Sequence, residues 1–178
     1  MLKVKPFKQT DGSRCGPASV KMVLGYYGID ASEDDLCKHC SHTFELGCTN
    51  ENMVKAFSRY GVAADIKNFS LLSDVAYYVS NNVPVIVDWF SPGTGVINNI
   101  MPTGHASVVV GLDDKMITLI DPENGQQRSI NRDEFMRVWF DWKTTPFIDR
   151  WEDMAIRTMI VPYPPSKNIK RVVNTYSL

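Results

Sequence analysis

An α+β fold is predicted from two hydrophobic periods, which are helical in the first half of the chain and strand-like in the second. Up to residue 80, apolar residues recur at the three-to-four-residue spacing of amphipathic helices. From residue 84 onward, the β-branched runs PVIVDWF, HASVVVGL and MITLI alternate with Gly, Asp and Pro, which is typical of strands joined by turns. Helices followed by an antiparallel sheet predict a core where the two halves meet.

The first predicted helix covers residues 15–27, with Pro17 in its first turn and Gly28 just beyond its end. A second helix is predicted from Ser32, because Ser32 and Asp35 resemble an N-cap with an acidic third position. Periodicity and end signals predict three more helices, over residues 50–60, 71–80 and 130–139.

Strands are predicted over residues 84–90, 105–113, 116–122 and 154–163. Between the first two lies a long Gly, Pro and Asn-rich loop, residues 91–104, and long loops in compact domains are usually functional. The prolines that begin PYPPSKNIKRVVNTYSL predict an extended C-terminal tail. We therefore expect one domain over residues 1–163, followed by a tail over residues 164–178.

The charge balance disfavours a nucleic-acid partner, because 19 Lys and Arg face 20 Asp and Glu, for a net charge of −1. The apolar runs are too short to span a membrane, and the N-terminus lacks the apolar core of a signal peptide. A cytoplasmic location is therefore expected, with the four cysteines as reduced thiols. Nothing in the composition requires a metal or a cofactor for folding, and none is predicted.

Cys15 is the first candidate for chemistry, because it lies at the start of the first predicted helix. The unpaired amides and the dipole of a helix N-terminus favour a thiolate, which is the nucleophilic form of cysteine. A lone cysteine at a helix start is more often a small packing residue. The interpretation as a nucleophile therefore depends on a base elsewhere in the chain.

His105 is the best placed of three histidines to be that base, because it joins the long loop to a predicted strand. The stretch HASVVVGLDDKMITLIDP reads as strand, turn and strand. Folding this hairpin back brings Asp121 beside His105, where a carboxylate can orient the imidazole. Cys15, His105 and Asp121 are thus predicted to converge.

Gln9 completes the predicted site, because acyl transfer places negative charge on a carbonyl oxygen and requires donors aimed at it. The Cys15 backbone N–H is one such donor, and a Gln amide shortly upstream is a second. Four residues are candidates for binding the substrate, two glycines beside the predicted nucleophile and base and two asparagines of the long loop: Gly16, Gly104, Asn98 and Asn99.

These residues resemble a known family. The resemblance is carried by Gln9, by the run CGPAS from Cys15, and by MVLGYYGI, ELGCTNENMVKAFSRYGV and GHASVVVGLDD followed by IDP. In these stretches the chain is similar to the papain-like cysteine peptidases that remove double-glycine leader peptides from bacteriocins. The resemblance covers about residues 9–139. It implies a papain-like fold, with the cysteine on the helical half, the histidine on the antiparallel sheet half and a peptide or protein substrate in the cleft between them.

For the site, the resemblance implies Cys15 as nucleophile, His105 as general base and acid, Asp121 as the residue that orients it, and Gln9 in the oxyanion hole. The chain also departs from the family. Arg14 stands where the family often has an acidic residue, and Cys48 interrupts a familiar segment. A double-glycine substrate is therefore not carried over, and the residues suggest no role for Arg14.

Three alternatives stay open at this point. Papain-like folds also host acyl- and peptidyl-transferases, in which an amine instead of water resolves the same thioester. A non-catalytic peptide-binding relative is a second alternative, although all four predicted roles are filled. A structural zinc site is the third, because Cys37 and Cys40 have ligand-like spacing and three nearby residues could complete the set: His39, His42 and Cys48. The oligomeric state is not indicated.

Overall fold

The computed structural model describes residues 1–91, 103–142, 154–164 and 169–171. The helices, in chain order, are α1 (Cys15–Tyr26), α2 (Glu33–His39), α3 (Asn50–Arg59), α4 (Leu72–Ser80) and α5 (Arg132–Val138). The strands are β1 (Ala63–Lys67), β2 (Val85–Ser91), β3 (Thr103–Leu112), β4 (Met116–Asp121), β5 (Gln126–Asn131), β6 (Phe140–Trp142), β7 (Met154–Ile156) and β8 (Thr158–Tyr163). The α+β prediction and all five predicted helices are confirmed.

The main sheet has six strands in the order β1-β8-β2-β3-β4-β5, and every pair in it is antiparallel. Successive side chains of a strand point to opposite faces, so the sheet contributes to two cores. Ile86, Val108 and Ile160 pack on the face of α1, α2 and α3. Val87 and Val109 lie on the opposite face, with α4 and α5.

The starts of α2 and α3 follow side-chain caps that the sequence supplies. Ser32 Oγ accepts a hydrogen bond from the Asp35 N–H at 3.1 Å, as the N-cap prediction requires. Thr49 Oγ1 accepts from the Asn52 N–H at 3.3 Å at the start of α3. Local side-chain chemistry therefore begins both helices. Packing then holds them in place, with α3 against β1 and β8 and with α2 against α1 and α3.

The last predicted strand was wrong as a single element, because residue Arg157 divides it into β7 and β8. Arg157 has a φ of 47°, a left-handed conformation that is unfavourable for a residue with a Cβ. Its N–H donates to the Trp139 carbonyl at 2.9 Å, and its carbonyl accepts from the Ser70 N–H at 3.0 Å. This turn moves the chain from the two-stranded β6-β7 sheet into the six-stranded sheet.

Three strands, β1, β5 and β6, were not predicted. β1 and β5 alternate weakly, and β6 has only three residues. Within the described ranges, no helix combines the length and the apolarity needed to cross a membrane. The predicted domain boundary after residue 163 stays a prediction. The described residues beyond it do contact the body of the protein, since Tyr77 OH donates to the Lys170 carbonyl at 3.3 Å.

Candidate active site

Cys15 is the first residue of α1, with Arg14 as its N-cap. The amides of a first helical turn have no acceptor within the helix, so this end favours a negative charge on the cysteine. One turn further, Ser19 Oγ donates to the Ala106 carbonyl at 3.2 Å. Because Ala106 follows His105 on β3, this buried bond holds the start of α1 against the start of that strand.

His105 and Asp121 are brought together by the hairpin of β3 and β4, as the sequence predicts. His105 Nε2 lies 2.7 Å from Asp121 Oδ1. The imidazole also hydrogen-bonds to the Cys15 thiol. Since Nε2 is engaged by the carboxylate, Nδ1 is the ring nitrogen left to face Cys15. The three predicted residues therefore form one hydrogen-bonded series.

Asp121 is fully buried, yet its carboxylate has several partners. Asp121 Oδ1 accepts a hydrogen bond from the Glu123 N–H at 3.0 Å, and Arg128 Nη1 lies 3.4 Å from Oδ2. Burial raises the pKa of Asp121, but the hydrogen bond to His105 and the Glu123 and Arg128 donors outweigh burial and hold that pKa below its usual value. Asp121 is thus a fixed negative charge behind the imidazole.

The protonation of Cys15 and His105 follows from these contacts. Burial lowers the pKa of His105, but the hydrogen bonds with Asp121 and Cys15 outweigh it and raise that pKa to about 10. Burial raises the pKa of Cys15, and the hydrogen bond and charge of His105 bring it below the usual thiol value. In contrast, burial raises the pKa of Cys37 to about 11, and a hydrogen bond to Cys40 with burial raises that of Cys48. The geometry favours a thiolate and imidazolium pair at Cys15 and His105.

Gln9 belongs to the N-terminal segment, which passes beside Pro122 just after β4. Its backbone N–H donates to the Pro122 carbonyl at 2.8 Å, so Gln9 lies beside the carboxylate end of the series. Its side-chain Nε2 donates to the Asp11 carbonyl at 2.6 Å, and the residue is 7% exposed. An amide nitrogen carries two hydrogens, so one remains for another acceptor.

A cysteine at a helix start, a histidine on a strand and a carboxylate behind that histidine form the arrangement of a thiol hydrolase. The model of the Peptidase_C39 like family matches residues 1–146 of this chain. The chain belongs to that family. It is a cysteine-type peptidase, and the recognition made from the sequence is confirmed.

Solved structures of C39 peptidase domains share the fold of this family member. A double glycine motif protease from an AMS/PCAT transporter, solved in complex with the leader peptide, is 21% identical with a TM-score of 0.64, covering 92% of this chain and 93% of its own. The peptidase domain of Streptococcus ComA is 20% identical with a TM-score of 0.65, covering 90% and 98%. The predicted papain-like layout is therefore confirmed.

Two further proteins resemble this C39-like chain over most of its length. A Bacillus anthracis protein described as C39-like is 16% identical with a TM-score of 0.70, covering 94% of this chain and 98% of its own. An uncharacterized protein of Methanothermobacter marburgensis is 29% identical over 132 residues, which cover 74% of this chain and 80% of the relative.

A pair of carboxyl groups that was not predicted lies next to the Cys15 and His105 pair. Asp88 lies on β2 and hydrogen-bonds to Asp141 of β6. Asn50 Nδ2 donates to Asp88 Oδ2 at 2.6 Å. Burial raises the pKa of Asp88 and that of Asp141, and the neighbouring Asp141 charge raises the Asp88 pKa further. Burial and the hydrogen bond between the two groups therefore favour one shared proton, which would leave the carboxyl pair of Asp88 and Asp141 with a single negative charge.

The signal for this carboxyl pair was present in the sequence, since Asp88 is one acidic residue inside the otherwise apolar run VPVIVDWF. Asp141 gives a weaker signal, because β6 is too short to read as a strand. Stacking of Phe90 on Phe140, with ring centroids 5.2 Å apart, holds β6 over β2. Only the tertiary contact of these two strands brings the carboxyl groups together.

The predicted substrate-binding glycines are placed beside tightly packed neighbours. A Cβ on Gly16 would lie 2.3 Å from Cys48 Sγ, so the glycine is required where α1 meets Cys48. A Cβ on Gly104 would lie 2.1 Å from both Asp141 carboxylate oxygens. Substrate contact at either glycine stays a prediction. Asn98 and Asn99 lie outside the described residues.

The cysteine and histidine residues of the alternative zinc site do not converge. Cys40 and Cys48 hydrogen-bond to each other as free thiols, whereas His42 Nε2 contacts Ser13, at 2.9 Å from its Oγ and 3.1 Å from its carbonyl. Across the part of the chain that the structure describes, no three His, Cys, Asp or Glu side chains group as metal ligands. His42 instead contacts Ser13 of the segment that leads to Cys15, and Cys48 packs against Gly16 of α1.

Proposed function

We propose that this chain hydrolyses a peptide bond through a thioester on Cys15, with His105 as general base and acid. In the proposal Asp121 orients His105, and the Gln9 amide with the Cys15 N–H stabilises the oxyanion. The observation that carries the proposal is the imidazole of His105, which hydrogen-bonds to Cys15 and, at 2.7 Å, to Asp121. This contact supports a thiolate that is ready to attack before any substrate arrives.

The reaction starts when the Cys15 thiolate attacks the carbonyl carbon of the scissile bond. The carbonyl oxygen takes up the negative charge and accepts hydrogen bonds from the two proposed donors. The imidazolium of His105 then gives its Nδ1 proton to the leaving amine, and the carbon–nitrogen bond breaks. Water attacks the resulting thioester, passes a proton to His105 and releases Cys15 as the thiolate.

A peptide or protein is the proposed substrate. The proposal is supported by a neighbour of the same fold, a double glycine motif protease that was solved in complex with the leader peptide. A double-glycine cleavage site is not part of the proposal, because Arg14 and Cys48 depart from the family's usual sequence beside the nucleophile. The four unbridged cysteines support a reducing compartment, which we propose is the cytoplasm.

Mass spectrometry of a peptide library incubated with the protein tests this function, with Cys15→Ala as the matched control. We expect cleaved peptides with the wild-type chain and none with Cys15→Ala. Added amines, such as glycinamide, report the transferase alternative, because transfer links the amine to the new C-terminus. Cleavage that persists in Cys15→Ala would contradict the proposal, and products that carry mainly the amine would replace hydrolysis with transfer.

A further inference from the structure

Arg14 is the residue beside the nucleophile to which the sequence assigns no role, and its side chain makes three ion pairs. Its Nε lies 2.6 Å from Asp11 Oδ2, and its Nη1 lies 2.7 Å from Asp34 Oδ1 and 3.3 Å from Glu33 Oε2. Asp11 belongs to the segment that leads to Cys15, whereas Glu33 and Asp34 begin α2. Arg14 therefore joins this segment to a helix about twenty residues further along the chain.

Glu33 is bound from a second direction. Thr10 Oγ1 donates to Glu33 Oε2 at 2.6 Å, and the Thr10 N–H donates to Oε1 at 3.3 Å. Glu33 is only 7% exposed, so these contacts and the ion pair are shielded from water more than a surface salt bridge is. We call Arg14, Glu33, Asp11 and Thr10 the Arg14 clamp.

The Arg14 clamp acts on the segment that carries both proposed oxyanion donors. The Cys15 N–H lies at one end of residues 9–15, and the Gln9 amide lies at the other. The Gln9 amide donates to the Asp11 carbonyl at 2.6 Å, so the backbone position of Asp11 sets the direction of that amide. Asp11 is in turn held by Arg14 and by Ser13, whose N–H donates to Asp11 Oδ1 at 2.9 Å.

We propose that the Arg14 clamp positions the oxyanion hole, by fixing the Gln9 amide relative to the Cys15 N–H through Asp11. The inference rests on the proposed function, because it presumes that Gln9 and Cys15 stabilise an oxyanion. Arg14 is a positioning residue in this scheme, since it acts on the donors through its ion pairs with Asp11 and Glu33. Preorganised donors lose much of their effect when they shift by about 1 Å, which costs on the order of 100-fold in rate.

Two reagents separate this role from a general effect on Cys15. Acylation by p-nitrophenyl acetate passes through a tetrahedral oxyanion, whereas alkylation by iodoacetamide is a direct displacement that forms none. The clamp variants Arg14→Ala and Glu33→Gln should therefore lower the acylation rate of Cys15 by about 10-fold or more while alkylation changes less than about 2-fold. Arg14→Lys, which retains one ion pair, should recover part of the acylation rate.

The control is Lys38→Ala, which removes the exposed ion pair between Lys38 and Asp35 on α2, the helix that Glu33 begins. This variant should change neither the acylation rate nor the alkylation rate of Cys15. Thermal melting shows which clamp variants remain folded. If Arg14→Ala does not fold, Thr10→Val removes one hydrogen bond to Glu33 and leaves the ion pairs of Arg14 in place. Equal loss of acylation and alkylation, or unchanged acylation in folded variants, would overturn the clamp. A wild-type Cys15 that reacts with neither reagent faster than the other thiols would instead overturn the proposed function.

Discussion

At the scale of single residues, one buried carboxylate determines the charge state of the site. Asp121 accepts from the Glu123 N–H and lies near Arg128, so it stays ionised although it is withdrawn from water. Its charge holds a proton on His105, whose charge in turn favours the thiolate of Cys15. The direction of influence therefore runs from Asp121 through His105 to Cys15, and each step is a hydrogen bond between neighbours.

Alkylation by iodoacetamide as a function of pH tests this ion pair. Cys15 should react fastest of the four cysteines at neutral pH, because its pKa is lowered while those of Cys37 and Cys48 are raised. The reactive thiolate of Cys15 should form at a pH below the usual thiol pKa, and the imidazolium of His105 should persist until about pH 10.

The matched variants for this measurement are His105→Ala and His39→Ala. The first removes the partner of Cys15 and should slow neutral alkylation about 10-fold for each unit by which the thiol pKa rises. The second removes an exposed imidazole and should have no effect. Peptide mapping that finds Cys37, Cys40 or Cys48 reacting as fast as Cys15 would refute the special activation of Cys15.

The shared proton of the carboxyl pair gives a second residue-scale prediction. An Asn at position 88 has the shape of a protonated Asp and can still accept from Asn50 and donate to Asp141. Asp88→Asn should therefore change the free energy of unfolding by less than about 1 kcal/mol, whereas Asp88→Ala leaves both partners unsatisfied and should cost about 1–3 kcal/mol.

The pH dependence of stability checks the same proton. Because the pKa of Asp88 is raised in the folded state, the folded protein binds a proton that the unfolded chain has lost. The free energy of unfolding should therefore fall as pH rises above the usual carboxyl pKa range. This dependence on pH should be weaker in Asp88→Asn. Denaturant unfolding at several pH values measures it, and an identical slope in both proteins would mean that Asp88 is ionised.

At the scale of secondary-structure elements, α1 combines a chemical and a packing requirement in neighbouring residues. Cys15 begins the helix, and Gly16 lies against Cys48 and Met53 with no room for a Cβ. Gly25 lies in the same helix, and a Cβ there would meet nothing within 4 Å. The two glycines therefore form a matched pair for mutation.

Gly16→Ala should lower the free energy of unfolding by about 1–3 kcal/mol, because the new Cβ overlaps Cys48 Sγ. Gly25→Ala should raise it by up to about 1 kcal/mol, because alanine is the better helix former. Adding Cys48→Ala to Gly16→Ala should restore part of the loss. Chemical denaturation measures all three, and equal effects of the two glycine substitutions would contradict the packing explanation.

Elements that depend on residues close in the sequence could be predicted, whereas elements that depend on contacts with distant residues could not. α2 and α3 follow from side-chain caps and apolar spacing within a dozen residues, and α1 follows from its apolar spacing between Pro17 and Gly28. The β3-β4 hairpin follows from a short turn. β6 and the break at Arg157 depend instead on partners far along the chain: the Arg157 N–H binds Trp139, and Phe140 packs on Phe90. Local patterns carry no information about such contacts, so these elements were missed or merged.

At the scale of the whole molecule, the site lies where the helical half meets the sheet, and both hydrogen bonds and apolar packing join the two. Ser19 Oγ donates to the Ala106 carbonyl near the site, and Tyr27 OH donates to the Pro162 carbonyl at 2.8 Å. Asn50 of α3 donates to Asp88 of β2, and apolar residues of α1 and α3 pack on the sheet. The relative position of Cys15 and His105 is therefore a property of the complete core.

The chain beyond residue 163 gives a prediction at this scale. Ile169 packs on the core, and Arg171 Nη1 lies 3.3 Å from Asp65 Oδ2, with the guanidinium over the Tyr163 ring. A chain that ends after residue 171 should retain these contacts, whereas one that ends after residue 163 should lose about 1–2 kcal/mol of stability. Equal melting temperatures of the two chains would support a tail without structural contribution.

The sequence by itself determined the α+β class, the helix starts and the candidates Gln9, Cys15, His105 and Asp121, because residue chemistry and short-range periodicity specify them. The tertiary structure alone decided three things: the partners of Arg14, the carboxyl pair of Asp88 and Asp141, and the close packing at Gly16. Each depends on side chains from elements that are distant in the sequence, and these side chains meet only when the elements pack together in the folded chain.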